Sequence, residues 1–277
     1  MANSTINGIR MYWEINGSVG EPMVLVHGSW GDHENWASVV PALSSSFRVL
    51  TYDRRGHSKS ERPAGRGSIQ EDVADLAALL EELRHSPCHV VGNSFGGSIV
   101  LRLAAERPEL FASLAIHEPP LFGLLRDEPN AKQALADVQK RMSAVVALLT
   151  AGNSAEGARQ FVETIAIGPG AWAELPEEVK KTLVFNAPTW LDEAHDPEAL
   201  EIDLGGLRGF TAPALLTVGD RSPPFFPKVV DKLVAAVARG ERQTIVGAGH
   251  VPHLSHSSQY VGLVTKFIAR GLTSSRA

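Results

Sequence analysis

The sequence has only one cysteine, Cys88, and no long run of hydrophobic residues. A single cysteine excludes a disulfide within the chain and is typical of a reducing compartment. The segment Met1-Ala-Asn-Ser-Thr-Ile-Asn-Gly has neither the charged region nor the apolar region of a secretory signal peptide. No stretch stays apolar over the roughly 20 residues that a membrane-spanning helix needs. We therefore expect a cytoplasmic protein without a membrane partner.

The sequence also lacks an excess of positive charge. Its 26 lysines and arginines are outnumbered by 31 acidic residues, which gives a formal net charge of −5, and no basic cluster stands out. Nucleic acid is therefore not an expected partner. The 277 residues, 44% of them hydrophobic, are enough for one large α/β domain, or for such a domain with an insertion.

One stretch joins a strand pattern to a helix pattern through a sharp turn. The apolar run Val90-Val91 leads into Gly92-Asn93-Ser94-Phe95-Gly96, and the helix pattern that follows stops at Pro108. A G-x-S-x-G turn in this context is typical of a nucleophile elbow, which holds its serine in strained backbone. A Cβ at position 92 or 96 would collide with neighbouring chain, and the helix N-terminus favours negative charge nearby. The sequence therefore predicts Ser94 as a nucleophile.

Strand and helix patterns alternate on both sides of this turn, which predicts βαβ units. Residues 121–211 are different, because they show only helical stretches and no convincing strand. We predict a doubly wound, mostly parallel α/β sheet with an inserted all-helical cap. The core domain comprises residues 1–120 and 212–277, and the cap comprises residues 121–211.

Two local predictions concern the first half of the chain. The alternation from Ile9 to Ile15, followed by Asn16-Gly17, indicates a hairpin that turns at this dipeptide. A helix is expected over residues 34–44. Another is expected from Ser68, whose spacing to Glu71 is that of a capping box.

A base and an acid for Ser94 should lie at the carboxyl ends of other strands, where open α/β sheets place their sites. His250 follows the last predicted strand and can act as the general base. Asp220 follows the strand ending at Val218 and is the first candidate for the acid, and the order Ser94, Asp220, His250 along the chain is the one expected for this fold. Glu118 follows the strand after the elbow helix and remains the alternative acid, since only geometry separates the two.

Four segments together resemble the α/β-hydrolase fold superfamily: His27-Gly28, residues 53–58, the elbow, and Gly249-His250. The resemblance covers the whole predicted core, and the cap lies where this family carries its lid. It implies an oxyanion hole made by the backbone N–H groups of Ser29 and Phe95. The residues expected at the substrate pocket are His27, Trp30, Trp172 and Trp190.

The sequence predicts no metal and no cofactor. His250, His253 and His256 are spaced three apart, but Pro252 breaks the helix that would align them, and no cysteine or carboxylate pair completes a metal shell. Gly247-Ala248-Gly249 is not followed by a helix with the third glycine of a dinucleotide fingerprint.

The predicted function is cleavage of carboxylic esters of small to medium hydrophobic substrates, through a Ser-His-acid triad and an acyl-enzyme. A lactone is a related substrate, and an apolar cap would exclude water from either. Substrates that carry an acid group are not expected, because Arg54 and Arg55 lie in a turn where their charges should face solvent. Two alternatives remain: a lactonase or carbon–carbon bond hydrolase with the same triad, and a small-molecule receptor with slow or absent turnover.

Overall fold

An eight-stranded sheet runs through the computed structural model, which describes residues 2–274. The strands are β1 (Ala2–Ile6), β2 (Ile9–Asn16), β3 (Pro22–Val26), β4 (Arg48–Tyr52), β5 (Cys88–Asn93), β6 (Phe111–His117), β7 (Ala214–Gly219) and β8 (Gly240–Ile245). Their order is β1-β2-β4-β3-β5-β6-β7-β8, with β1 and β2 antiparallel to their neighbours and all other pairs parallel. This confirms the predicted mostly parallel sheet.

Helices join the strands. The α-helices are α1 (Val40–Leu43), α2 (Ile69–Glu82), α3 (Phe95–Glu106), α4 (Lys132–Thr150), α5 (Ser154–Phe161), α6 (Ala171–Glu174), α7 (Glu177–Phe185), α8 (Ala187–His195), α9 (Leu204–Leu207), α10 (Phe225–Ala236), α11 (Pro252–Ser255) and α12 (Ser257–Ser274). Short 3₁₀ turns lie at His33–Trp36, Pro108–Leu110, Phe122–Leu125 and Pro129–Ala131, and a π-helical turn lies at Val162–Ala166. None of the helices within residues 2–274 combines the length and apolar character needed to cross a membrane.

The two faces of the sheet are buried against different helices because side chains alternate along each strand. In β3, Val24 and Val26 belong to the cluster that includes residues of α2, α3 and α10. Met23 and Leu25 belong to the cluster on the opposite face, together with residues of α1 and α12. Both faces of the central strands are therefore shielded from solvent. A functional site is expected at the ends of these strands, where polar loops begin.

The N-terminal hairpin turns earlier than predicted. Asn7 and Gly8 have φ angles of 46° and 82° and join β1 to β2, which continues through Asn16. The Asn-Gly pair at the start of the chain supplies the positive φ values that a two-residue hairpin requires. The predicted helix over residues 34–44 is also wrong, since this region forms a 3₁₀ turn and the one-turn α1. The capping box of Ser68 and Glu71 is confirmed at the start of α2.

Every element between β6 and β7 is helical, as predicted for this region. Residues of α4, α5 and α8 form an apolar cluster with Trp30, which comes from the loop after β3. The helical segment (residues 121–211) therefore packs on the loops at the carboxyl ends of the strands. The domain boundaries at residues 120/121 and 211/212 remain a prediction.

Candidate active site

Ser94 lies in the sharp turn between β5 and α3. Its φ of 54° and ψ of −126° are strained for a residue with a side chain, as predicted for a nucleophile elbow. The turn requires glycine on both sides. A Cβ at Gly96 would overlap the carbonyl oxygen of Val26, and one at Gly92 would lie 2.9 Å from the backbone of Gly97. The strain is held by neighbouring backbone, including a 2.9 Å hydrogen bond from the Ser94 N–H to the carbonyl of His117.

His250 and Ser94 line the same cavity. The backbone carbonyl of His250 accepts a 3.0 Å hydrogen bond from the side chain of Asn93, the residue before Ser94. The His250 ring stacks on Phe226 with ring centroids 4.8 Å apart. Ser94 and His250 are 156 positions apart in sequence, and the elbow and the loop after the last strand therefore bring a hydroxyl and an imidazole to one pocket.

Glu118 supplies the carboxylate that contacts this imidazole. Its Oε2 lies 2.8 Å from Nδ1 of His250, and its Oε1 accepts a 2.8 Å hydrogen bond from the backbone N–H of Gly219. The side chain is fully buried. Burial alone would raise its pKa, but the hydrogen bond with His250 and the charges of His117 and His250 hold the pKa below its ordinary value. Glu118 is thus ionised at neutral pH and can hold the imidazole with Nδ1 protonated and Nε2 free.

Asp220, which the sequence ranks first as the acid, does not contact His250 in the structure. Its Oδ1 accepts a 2.7 Å hydrogen bond from the backbone N–H of Gly247, and the side chain is exposed. The carboxylate therefore fastens the loop after β8 instead of orienting the imidazole. The two acids follow neighbouring strands, and Glu118, which has a φ of 45°, is the buried one. The geometry therefore favours Glu118 over Asp220 as the partner of His250, the opposite of the predicted ranking.

Ser29 and Phe95, the predicted oxyanion-hole residues, both line the cavity beside Ser94. Phe95 is the first residue of α3, where a helix leaves backbone N–H groups without an intrahelical acceptor. The loop that carries Ser29 runs close to the nucleophile, since a Cβ at Gly28 would lie 3.0 Å from the Cβ of Ser94. The arrangement suits two backbone donors aimed at one oxygen atom.

The cavity encloses about 620 Å³, part of it open to solvent. Most of its lining is apolar, and much of it comes from the helical segment, including Met142, Phe161 and Ile165. Among the four predicted pocket residues, Trp190 lines the cavity. His27, Trp30 and Trp172 are not among the residues that line it.

His27 and Trp30 are buried beside the cavity without lining it. His27 accepts a 3.0 Å hydrogen bond from the backbone of Arg54, and its burial and the charge of Arg54 lower its pKa to about 3. Trp30 is fully buried between Phe161 and Trp190. Trp30 therefore packs behind two residues of the cavity wall. Trp172 lies further out on α6, with the ammonium group of Lys180 5.9 Å from its ring centre.

The prediction that Arg54 and Arg55 face solvent is also wrong. Arg54 is fully buried, with its Nη1 3.1 Å from Asp72 and its Nη2 2.5 Å from Glu193. Arg55 is almost buried and pairs with Asp75 at 2.8 Å. Sequence indicated a surface turn, but the helical segment covers it.

Glu193 is the site residue that sequence reasoning missed. It lies in α8 and lines the cavity together with Trp190, three positions earlier. Residues three apart share a face of a helix, so the predicted pocket position of Trp190 is the signal that could have found it. Its Oε2 accepts a 2.5 Å hydrogen bond from Oγ of Ser29.

Within residues 2–274, one group of side chains has ligand atoms close enough together for a metal ion: Asp32, His33 and Asp53. Hydrogen bonds already engage these atoms. Asp53 Oδ1 accepts from the backbone N–H of His33 and lies 2.5 Å from that residue's Nδ1, while Asp32 Oδ2 accepts from Ser58. These hydrogen bonds connect the loop after β3 to the loop after β4.

Comparison with known proteins gives one family. A family model described as alpha/beta hydrolase fold matches residues 21–257. The dihydrolipoyllysine-residue acetyltransferase component of the acetoin cleaving system of Pseudomonas putida is 38% identical over 112 residues, which are 40% of this chain. The chain covers only 30% of that relative's length.

Two further proteins match over nearly their whole length. The pimeloyl-(acyl-carrier protein) methyl ester esterase of Aeromonas hydrophila is 28% identical over 264 residues, covering 90% of this chain and 96% of the relative. The crystal structure of bromoperoxidase from Bacillus anthracis is 24% identical, with a TM-score of 0.79, covering 97% of this chain and all of the other. The similarity to the bromoperoxidase structure supports the fold alone.

Proposed function

Because the chain belongs to the alpha/beta hydrolase family, we propose that it is a serine hydrolase that cleaves carboxylic esters through an acyl-enzyme. The observation that carries the proposal is the Glu118–His250 pair, 2.8 Å apart, in the cavity that Ser94 also lines. The similarity to a methyl ester esterase over 90% of the chain supports the choice of an ester. The apolar lining favours small to medium, uncharged acyl groups.

In the proposed mechanism, Oγ of Ser94 attacks the ester carbonyl carbon while Nε2 of His250 takes its proton. The carbonyl oxygen becomes an oxyanion that accepts hydrogen bonds from the backbone N–H groups of Ser29 and Phe95. His250 then donates the proton to the leaving alkoxide. Water attacks the acyl-enzyme by the same route, with His250 as the base, and releases the acid and the free serine. Glu118 fixes the tautomer and stabilises the imidazolium in both halves.

Replacement of the nucleophile tests this proposal. We expect Ser94→Ala to lower kcat on p-nitrophenyl esters by at least about 10³-fold. The measurement is steady-state hydrolysis of an acyl-chain series, with thermal melting as the check that the variant is folded. A folded Ser94→Ala protein that keeps its kcat would contradict the proposal.

The same series separates the two alternatives. A receptor on this scaffold would bind an ester without multiple turnover, whereas a hydrolase turns over many equivalents. A lactonase or carbon–carbon hydrolase with this triad would favour a lactone or a dienone over every simple ester. Turnover numbers for the three substrate types, measured side by side, decide among them.

A further inference from the structure

One wall of the candidate cavity carries an acid group that the proposed chemistry does not use. Within residues 2–274, the polar residues that line the cavity are Ser29, Ser94, Glu193 and His250. Glu193 is the one carboxyl group among them. An ionisable group in a mostly apolar pocket is unfavourable unless its charge and hydrogen-bonding positions are matched, so the partners of Glu193 decide what else it can bind.

The partners of Glu193 within the chain leave its charge incompletely matched. Its Oε1 pairs with Nη2 of Arg54 at 2.5 Å, but Arg54 also pairs with Asp72 at 3.1 Å. One buried guanidinium thus serves two carboxyl groups. Burial raises the pKa of Glu193 to about 7, and burial raises that of Asp72 to about 6. The single positive charge of Arg54 therefore cannot neutralise both carboxyl groups.

Glu193 also has free hydrogen-bonding positions. A carboxylate offers about four lone-pair sites. The bonds from Arg54 and from Oγ of Ser29 occupy one on each oxygen. A group that titrates near neutral pH can accept a hydrogen bond when ionised and donate one when protonated. The matching ligand group is therefore a hydroxyl or an amide, which can do both.

We propose that Glu193 is a specificity-determining residue that hydrogen-bonds a hydroxyl or amide group on the acyl part of the ester. The inference rests on the proposed function. The acyl part is indicated because the leaving oxygen must lie at His250, which protonates it. The substituent that reaches the Ser29 side of the oxyanion hole, where Glu193 is bound, then belongs to the acyl group.

A purely structural role predicts something different. If Glu193 only stabilises the packing of α8 on the loop after β3, its replacement should lower stability and change the rates on all esters by the same factor. As a specificity residue, it changes the ratio of rates between an ester with the donor group and an isosteric ester without it. A purely structural role would leave this ratio of rates unchanged.

The test uses p-nitrophenyl 3-hydroxybutyrate and p-nitrophenyl 3-methylbutyrate, which differ by a hydroxyl in place of a methyl group. We expect wild-type protein to favour the hydroxy ester in kcat/KM by at least about tenfold, the effect of one hydrogen bond to a charged group. Glu193→Met, similar in length and apolar, should remove this preference or reverse it. Glu193→Gln should lower it by at least about threefold, because a neutral acceptor bonds more weakly.

Asp192→Asn is the matched control. Asp192 is the neighbouring acid on α8, but it is not among the residues that line the candidate cavity, and it pairs with Arg62 at 2.7 Å. We expect this variant to keep the wild-type preference within a factor of two.

Equal kcat/KM for the two esters in wild-type protein would overturn the inference while leaving the proposed function intact. An unchanged preference in Glu193→Gln would also overturn it, even if Glu193→Met fails to fold. Wild-type protein that hydrolyses neither ester would instead contradict the proposed function, and the inference with it.

Discussion

Two buried glutamates of this chain, Glu118 in the sheet core and Glu193 in the helical segment, have pKa values shifted in opposite directions. Burial pushes both pKa values upward. At Glu118, the hydrogen bond with His250 and the charges of His117 and His250 more than offset that effect. At Glu193, the single available guanidinium is shared with another acid. Each carboxyl group accepts two hydrogen bonds within the chain, so their number does not explain the difference. The neighbouring charges do: His117 and His250 both lower the pKa of Glu118, whereas at Glu193 burial outweighs Arg54 and the charge of Asp72 adds to burial.

The same contrast separates the two regions as a whole. The core holds its site residues in strained backbone, with φ of 54° at Ser94 and 45° at Glu118. The helical segment supplies mostly apolar side chains from regular helices. We therefore expect changes in the core to alter the rate on every ester, and changes in the helical segment to alter which ester is preferred.

The largest expected effect is in the core. Glu118→Gln should lower kcat by about 10³- to 10⁴-fold, because an amide can present an N–H group to Nδ1 of His250 and favour the wrong tautomer. The measurement is kcat on one good ester, with melting temperature recorded for each variant.

Asp220→Asn is the matched control, since it changes the acid that the sequence ranks first. Its exposed carboxylate accepts a hydrogen bond from the backbone N–H of Gly247, so we expect kcat within about twofold of wild type, as for a surface substitution. If Asp220→Asn were the more damaging of the two, the assignment of Glu118 as the orienting acid would be wrong.

A second prediction concerns the carboxyl group of the helical segment. The pKa of Glu193 is raised from 4.5 to about 7, so between these values the folded chain keeps a proton that the unfolded chain loses. Stability from this group is therefore full below about pH 4.5 and decreases as the pH rises through 7. From pH 5 to pH 8, wild type should lose on the order of 1–3 kcal/mol of unfolding free energy relative to Glu193→Gln.

Denaturant unfolding of both proteins at several pH values measures this difference. All other titrating groups are common to the two proteins, so only the difference between their pH profiles matters. Parallel profiles would show that Glu193 does not bind its proton more tightly in the folded state.

The smallest expected effect concerns an apolar wall. Met142→Ala removes a side chain of α4 from the cavity lining. We expect kcat/KM to shift toward longer acyl chains by up to about tenfold, the size of one or two methylenes in an apolar pocket. Rates on an acyl-chain series provide the measurement, and an equal change for every chain length would contradict the division of roles between the two regions.

Much of the core could be predicted from sequence because its signals are local. The elbow depends on Gly92 and Gly96, two positions where a Cβ would collide with neighbouring backbone. Both belong to one five-residue motif, so the sequence around Ser94 is enough to predict the turn. The parallel sheet follows from apolar runs that alternate with helix patterns. The hairpin turn at Asn7-Gly8 has an equally local signal. Because Asn16-Gly17 is the same dipeptide, the sequence alone does not tell which pair forms the turn.

The rest depends on contacts between distant segments. Asp220 and Glu118 both follow strands, and nothing in their neighbouring residues tells which side chain reaches His250. Arg54 has the sequence context of a surface turn, but its carboxylate partner Glu193 lies 139 positions away. The polar wall of the cavity could therefore not be predicted from either segment alone.

The most direct test of the proposed chemistry is covalent labelling. Wild-type protein is treated with a fluorophosphonate, which reacts with activated serines, and its digest is examined by mass spectrometry. We predict one adduct, on the peptide that contains Ser94, and a marked loss of labelling in Glu118→Gln but not in Asp220→Asn. An unlabelled Ser94, or an adduct confined to another serine, would contradict the account.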